Sequence, residues 1–478
     1  MKPRSSARRS TTGLLVFMSL CSTACTVGPD YKPPQVAQPQ DFRNHIGPAE
    51  ATSFADVPWW QVFNDRSLQT LITEGLNNNY DLAIAASRIE QARALVGVAR
   101  SEGLPQIGYE GGVGVEKTFS SQPDGFGTAK FFGVRGALNF AWEIDLWGRI
   151  KRSTEAARAN LFTQEEIRRG VMLTLVSDIA SGYFRLLSLD RELAIANESN
   201  ATYKKTLDLF TARYEGGKDS RLPVERTEAA YKASNARVAD LNREIAQQEN
   251  ALSILVGGYP QPITRGVTLT EQTMPTMPVG QTTDLLRRRP DIRAAEQDMI
   301  RANAEVGVAV ANFYPRIGLG ALFGGIHVDP ENCVSGGFSF WQVGASLLGP
   351  IFTGGRLKSI YEQRKAFWDE SVAQYRKTIQ IAFRETSDAL VAQQTLVGRR
   401  SALEAQVAAL RKSADLALAR YDAGRSSYFE VLEAQQQLFP AEDELAQTQQ
   451  SQLQAMVDLY KALGGGWNLT NDQWNRPS

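Results

Sequence analysis

The segment Ala212-Arg213-Tyr214-Glu215-Gly216-Gly217 recurs later in the chain as Ala419-Arg420-Tyr421-Asp422-Ala423-Gly424. The two copies stand 207 residues apart (420 minus 213), and the same offset relates Gly148-Arg149 to Gly355-Arg356 and Gly257-Gly258 to Gly464-Gly465. An internal repeat of this kind predicts a chain built from two copies of one structural unit. Glycine at the end of each segment predicts a tight turn where a helix ends.

Long helices are predicted on the N-terminal side of both glycine turns. Residues 146–212 and 355–422 contain no proline, and apolar side chains recur in the first of them at steps of three and four residues. Each helix would be about 100 Å long, far beyond the roughly 8 to 20 residues of an ordinary globular helix. Return helices are predicted over 219–257 and 427–463, and an earlier helix over 65–102. Two adjoining apolar stripes favour packing on both sides, as in the wall of a tube, over a coiled-coil rod with one stripe.

Each half also contains a pair of predicted strands. Apolar and polar residues alternate, clearly in the first pair and weakly in the second, over 106–116, 132–144, 316–327 and 338–348. The polar segment 118–130 is predicted to be a loop. The strand lengths are close to the about 9 to 11 residues that cross a membrane at a tilt, although each pair could also be a soluble hairpin. Four strands cannot close a barrel in lipid, so a membrane location requires several chains to share one barrel; three copies would supply twelve strands.

The N-terminus has the features of an export signal. Arginines, a short apolar run and small residues precede a cysteine in the order Arg4, Arg8, Arg9, 14–20, Ser22-Thr23-Ala24 and Cys25. The small residues resemble a bacterial lipoprotein cleavage box, which predicts a covalent lipid on Cys25, although Ser22 stands where such boxes prefer leucine. The alternative is an ordinary cysteine in a cleaved or tethered leader. If Cys21 is removed and Cys25 is acylated, Cys333 has no partner for an intramolecular disulfide.

Composition gives little support to an enzyme or a nucleic-acid-binding protein. The 52 Lys and Arg balance 52 Asp and Glu, so there is no electrostatic reason to expect nucleic acid as a partner. Two histidines leave little material for a histidine-based metal site or catalytic triad. A phosphate loop around Lys218 would need glycine and a hydroxyl residue where the chain has Ala212 and Asp219. We therefore expect no catalytic residue, no metal and no cofactor apart from the lipid on Cys25.

Several motifs in fixed order resemble those of a known family. They are Cys25-Thr-Val-Gly-Pro-Asp-Tyr-Lys-Pro-Pro34, Trp59-Trp60, Arg288-Arg-Pro-Asp-Ile-Arg-Ala-Ala-Glu296, Phe313-Tyr-Pro-Arg-Ile317 and Gly354-Gly-Arg356. Together with the doubled turn, they resemble the TolC-like outer-membrane factors, and among these the NodT-type lipoproteins of resistance-nodulation-division efflux systems. The resemblance implies a mainly α homotrimer in which long antiparallel helices form an α-barrel topped by a shared twelve-stranded transmembrane β-barrel.

The repeat and the resemblance together divide the chain into six parts. We expect a signal peptide, a lipidated N-terminal segment with part of a belt, a first repeat, a belt linker, a second repeat and a C-terminal tail, over 1–24, 25–64, 65–258, 259–283, 284–465 and 466–478.

Two acidic residues just past the second turn are the main candidate site. Glu430 and Glu433 are three residues apart, so a helix shows both on one face. The resemblance implies that they line the narrowest periplasmic opening, where three copies would form a ring that selects cations. The alternative is that acids near a helix start suit its dipole. Tyr421 matches a family residue that holds the tip closed, but Ser426 stands where its basic partner is expected.

The resemblance implies a passive channel in the bacterial outer membrane, lipid-anchored and extending into the periplasm. It would pass drugs or other small molecules from an inner-membrane resistance-nodulation-division pump and a periplasmic adaptor protein to the exterior. The adaptor would contact the two turns at Arg213, Tyr214, Gly217, Arg420 and Gly424. The alternatives are an exit duct for secreted polypeptides and a non-conducting structural lipoprotein of the envelope.

Overall fold

The computed structural model describes residues 26–37, 39–43, 53–122, 125–275, 277–327 and 337–474. The predicted signal peptide, Cys25 and Cys333 lie outside the described residues. The helices are α1 (Trp59–Val62), α2 (Arg66–Asn78), α3 (Tyr80–Ser101), α4 (Arg149–Glu215), α5 (Arg221–Leu255), α6 (Leu285–Arg288), α7 (Pro290–Ala311), α8 (Arg356–Asp422), α9 (Tyr428–Ala462) and α10 (Asn471–Trp474). The strands are β1 (Gln106–Gln122), β2 (Gly125–Ile144), β3 (Arg316–His327) and β4 (Gly337–Leu348).

The 207-residue repeat is visible in the helix boundaries. The long helices α4 and α8 have 67 residues each and the return helices α5 and α9 have 35 each, with every boundary in one copy 207 positions from its counterpart. Both long helices end at a glycine with positive φ, 69° at Gly217 and 71° at Gly424. The predicted first long helix, 146–212, is thus displaced by three residues from the observed one, because its end is set by the glycine.

The helix predicted over 65–102 is broken, and that prediction was wrong. Asn79 leaves the helical conformation with ψ 130° and separates α2 from α3. Its side-chain oxygen accepts hydrogen bonds from the backbone N–H groups of Asp81 (2.8 Å) and Leu82 (3.2 Å). The asparagine therefore caps a new helix, and apolar spacing continues across the break and hides it.

The loop predicted over 118–130 is also replaced by strand. Strand β1 continues to Gln122 and β2 begins at Gly125, and the two pair in register up to Gln122 opposite Gly125. Antiparallel pairing uses main-chain groups, so polar composition does not prevent it. The first hairpin is therefore longer than the second, whose strands have 12 residues each.

The four strands form one antiparallel sheet in the order β1-β2-β3-β4. The register places apolar residues from every strand on one face: Ile107, Tyr109, Val113, Val134, Leu138, Phe140, Trp142, Ile144, Ile317, Leu319, Phe323, Trp341, Val343 and Leu347. Small or polar residues dominate the other face, among them the ion pair of Glu110 and Arg135. The apolar face is open: Ile107 and Trp341 are 77% and 76% exposed. Strand β3, which alternates poorly in sequence, joins this face through Ile317, Leu319 and Phe323.

The chain divides into two compact units. The first contains the sheet and consists of Met1–Gln35, Arg88–Glu165 and Ala294–Tyr375, and the second of Val36–Ser87, Glu166–Arg293 and Arg376–Ser478. The largest apolar core belongs to the second unit and includes Trp59, Tyr183, Phe184 and Tyr460, all essentially inaccessible to solvent. Helix α4 contains a window long and apolar enough to cross a membrane, but 61% of it is buried, as in a core helix.

A buried carboxylate ties the belt linker to this core. Asp65, 3% exposed, caps α2 by accepting the backbone N–H of Ser67 at 2.8 Å. It also accepts the hydroxyl of Tyr183 (3.0 Å), the side-chain amide of Gln272 (2.9 Å) and the backbone N–H of Val267 (3.3 Å). The carboxylate thus joins a helix start, a long helix and the linker at one point.

The run Arg287-Arg288-Arg289 also has a structural role, since Arg288 and Arg289 form ion pairs within the chain.

Candidate functional site

The two predicted turns, called here the tip turns (residues 213–221 and 420–428), have the same backbone structure. The N–H of Lys218 donates to the carbonyl of Arg213 (2.9 Å), and in the second copy the N–H of Arg425 donates to the carbonyl of Arg420 (2.8 Å). With the glycine in the left-handed region between them, this is the bonding of a Schellman-type helix end. The positive φ values at positions 217 and 424 therefore explain why both residues are glycine.

Arg213 connects the two tip turns. Its guanidinium donates a hydrogen bond to the hydroxyl of Tyr421 and lies 5.3 Å from the centroid of that ring. The same side chain forms an ion pair with Asp219 at 3.1 Å, which fixes its direction. The basic residue that contacts Tyr421 is thus Arg213 of the first repeat, while Ser426 stands at the position where the resemblance implies one. The sequence places both residues at tip turns but gives no signal that their side chains meet.

An aromatic cluster lies beneath this contact. Phe210 is 4.2 Å from Tyr428 and 6.3 Å from Tyr421, centroid to centroid, and the rings of Tyr421 and Tyr428 are 5.4 Å apart in an edge-on arrangement. Burial raises the pKa of Tyr428 to about 12, because the charged phenolate would be desolvated there. The cluster joins the end of α4 to the end of α8 and the start of α9.

Glu430 and Glu433 lie on the exposed side of α9. Glu430 forms an ion pair with Arg420 at 3.7 Å, and Glu433 has no hydrogen-bond or ion-pair partner in the described part of the chain. Their neighbours Val431, Leu432 and Ala434 are buried. Glu430 stands in the first turn of its helix, so the favourable dipole interaction and a role at an opening both remain compatible with its position.

The remaining predicted tip residues are surface residues. Tyr214 is 43% exposed, although it stands 207 positions before the half-buried Tyr421. Beyond the first tip turn, helix α5 has Arg226 in place of Glu433, and its guanidinium lies 5.7 Å from the ring of Phe429. The helices that follow the two tip turns therefore differ in charge, although the backbones of the turns match.

The first described residues form a second feature, whose contacts were not predicted from the sequence. This N-terminal strap (residues 26–31) is held by the N–H of Val27 on the carbonyl of Trp147 (3.1 Å) and by an ion pair of Asp30 with the buried Arg152 (2.7 Å). Asn303 donates to the carbonyl of Pro29 at 3.0 Å. The strap contacts both repeats and begins beside the end of β2.

In the described ranges, no group of three or more His, Cys, Asp or Glu residues could hold a metal ion.

Comparisons with known proteins agree with this architecture. The family described as outer membrane efflux protein matches residues 71–258 and 282–465. The probable efflux pump outer membrane protein TtgC of Pseudomonas putida KT2440 is 33% identical over 475 residues, which cover 96% of this chain and 97% of that protein. The cation efflux system protein CusC of Escherichia coli O157:H7 is 31% identical over 461 residues, covering 95% and 98%.

Solved structures show the same similarity. A crystal structure of CusC superposes with a TM-score of 0.81 at 31% identity and covers 92% of this chain and 100% of that one. The open state of the MtrE outer membrane channel of Neisseria gonorrhoeae gives a TM-score of 0.81 at 29% identity, covering 93% and 99%.

Proposed function

The chain belongs to the outer membrane efflux protein family, and from this premise we propose how its parts work. It is an outer-membrane exit channel of an efflux pump and resembles proteins that are transport channels rather than enzymes. The observation that carries the proposal is the sheet, whose apolar face runs across all four strands and whose other face is small and polar. This pattern suits a wall with lipid on one side and water on the other.

Three copies form the conducting unit. Strands β1 and β4 are the edges of the sheet, and neither has a second partner strand within the described chain. An unpaired edge in lipid would leave N–H and C=O groups without hydrogen bonds, each costing several kcal/mol. Pairing β4 of one copy with β1 of the next removes every edge, and three copies give twelve strands, an even number in the range of known barrels.

A lipid on Cys25 anchors the chain at the membrane boundary. The strap places Thr26 against the segment that follows β2, since Val27 binds Trp147 and the hydroxyl of Thr26 accepts from Lys151 at 3.1 Å. Acyl chains on the preceding residue would then start beside the apolar face of the sheet. This position supports lipidation over an ordinary leader cysteine.

The tip turns receive the cargo. The adaptor contacts the exposed surface around Arg213, Tyr214, Gly217, Arg420 and Gly424, while Glu430 and Glu433 of three copies bring six carboxylates to one axis and favour cations there. The bond from Arg213 to Tyr421 holds the closed arrangement. Energy comes from the inner-membrane pump, and no cofactor other than the lipid is needed.

Conductance and subunit count test the proposal together. The detergent-purified protein is cross-linked, its subunits are counted, and it is added to a planar lipid bilayer. We expect a trimer and discrete cation-favouring current steps. A monomer that needs no detergent, or a trimer that conducts no ions, would contradict the proposal.

A further inference from the structure

A cleft of about 810 Å³ lies in the first unit, next to the boundary between the sheet and the helices. Aromatic residues that suit a membrane interface mark this level. The indole of Trp142 donates to the carbonyl of Gly103 at 3.0 Å, and Trp147 stacks on Tyr314 with 4.7 Å between ring centroids. Gly103 itself lines the cleft, and so does Ile150 in the first turn of α4. The cleft therefore opens just below the apolar face of the sheet.

The acidic groups in the cleft are already committed. Asp30 and Glu155 both bind the guanidinium of Arg152, at 2.7 and 2.9 Å, and this arginine side chain is only 5% exposed. Asp145 accepts the backbone N–H of Lys151 at 2.7 Å and so caps the start of α4. Hydrogen bonds thus direct these acids to Arg152 and to the backbone of α4, and the lining as a whole has four basic and three acidic side chains.

Three basic side chains in the cleft have no acidic partner among the described residues: Arg100, Lys151 and Arg158. Among the described residues, the ammonium group of Lys151 donates one hydrogen bond, to the hydroxyl of Thr26. Lys151 and Arg158 are seven residues apart on α4, so they share one face and are separated by about 10 Å along the helix. Further along that face lies Phe162, which is 49% exposed and lines the same cleft.

The second repeat lacks this arrangement. The counterpart of Arg100, at the 210-residue offset that relates α3 to α7, is Val310, and the counterpart of Phe162 at the 207-residue offset is Asp369. Lys358, the counterpart of Lys151, is paired with Glu362 at 3.8 Å. The cleft is thus particular to the first repeat and does not follow from the fold alone.

From this combination we infer that the cleft binds one phospholipid of the periplasmic leaflet. Its phosphate would lie on Arg100, Lys151 and Arg158, and its acyl chains against Phe162 and the other apolar lining residues, Ile150, Ala159 and Ile300. Three basic side chains that line one cleft match an anionic headgroup, and phosphate oxygens accept readily from guanidinium groups. The inference rests on the outer-membrane location given above. The bound lipid would lie beside the anchored N-terminus, in the cleft between the strap and the helices α3, α4 and α7.

The test measures lipid retained by the detergent-purified lipoprotein in native mass spectrometry, with phosphatidylglycerol and with diacylglycerol of the same acyl chains. We expect one phosphatidylglycerol per chain and at least tenfold weaker binding of diacylglycerol. The variant Arg100→Gln/Lys151→Gln/Arg158→Gln should bind phosphatidylglycerol at least tenfold more weakly. The matched control Lys358→Gln/Lys365→Gln removes two exposed lysines at the equivalent positions of the second repeat and should bind as the wild type does.

Two further arms separate the sources of phosphate and the effects on folding. Phe162→Ser should weaken phosphatidylglycerol binding without changing the subunit count. If millimolar inorganic phosphate displaces the lipid fully and Phe162→Ser has no effect on binding, the site takes free phosphate and the assignment to a phospholipid is wrong. The inference is equally overturned if the triple variant binds as the wild type does, or if the control loses as much. Bilayer conductance is recorded for all variants: a wild type that binds lipid but conducts nothing would refute the channel and leave the lipid site standing.

Discussion

Removing one hydroxyl at the tip should loosen the contact between the two repeats. Tyr421→Phe keeps the ring that packs on Phe210 and Tyr428 but deletes the acceptor for Arg213. A hydrogen bond to a charged donor contributes about 1.5 to 3 kcal/mol when it is buried, and because Arg213 is 39% exposed, we discount this for solvent screening to about 1 kcal/mol per chain. One chain would then change the closed-to-open ratio roughly fivefold, and three chains acting together on the order of 100-fold.

The assay is the fraction of time that single channels spend in the high-conductance state in a planar bilayer. Tyr214→Phe is the matched control, since Tyr214 occupies the equivalent position of the first repeat, is exposed, and makes no side-chain hydrogen bond within the described residues. The control should behave as the wild type does. Equal open fractions in Tyr421→Phe and Tyr214→Phe would refute the claim that this contact holds the tip closed.

Three other changes test separate parts of the structure. Glu430→Gln with Glu433→Gln should raise anion permeability several-fold because a carboxylate ring is lost, and unchanged reversal potentials in a salt gradient would reject the pair as a filter. Asp65→Ala should destabilise the protein by about 3 kcal/mol, since it removes the cap of α2 and leaves the buried O–H of Tyr183 without its acceptor; an unfolding midpoint in denaturant equal to that of the wild type would contradict this. Burial, with Glu192 nearby, raises the pKa of Asp443 to about 6, so the folded state binds this proton more tightly than the unfolded state, and stability should fall as pH rises from about 4 to 6. Asp443→Asn should remove this pH dependence and raise the melting temperature at pH 7.5, where the free energy of unfolding increases by at most about 3 kcal/mol. Thermal unfolding measured at several pH values checks this prediction.

The helical scaffold is predictable because it depends on local chemistry. Glycine is needed wherever φ is positive, so Gly217 and Gly424 mark both helix ends in the sequence, and period-two alternation marks strands at the correct places. Breaks and extensions are less visible. Asn79 interrupts a helix without disturbing apolar spacing, and the hairpin continues past residue 116 through main-chain pairing that composition does not reveal.

Contacts made by single side chains across the fold are beyond sequence reasoning. Arg213 reaches Tyr421 over 208 positions, and Asp30 reaches Arg152 over 122. Neither pair has a motif, because any acid or hydroxyl in the right place would satisfy the arginine. The roles of Glu430 and Glu433 likewise depend on copies of the chain that one sequence does not position.

The strap also sets an order of events during export. In the exported, lipid-anchored form that we propose, its residues are the first of the mature chain to cross the inner membrane. The strap, however, is held by the side-chain amide of Asn303 on the carbonyl of Pro29, and Gly28 lies against Gly307. The residues that bind the strap are therefore not all present in the periplasm until about three hundred residues have been translocated. In the form that we propose, Cys25 is therefore accessible to acylating enzymes until then, so acylation can precede docking of the strap.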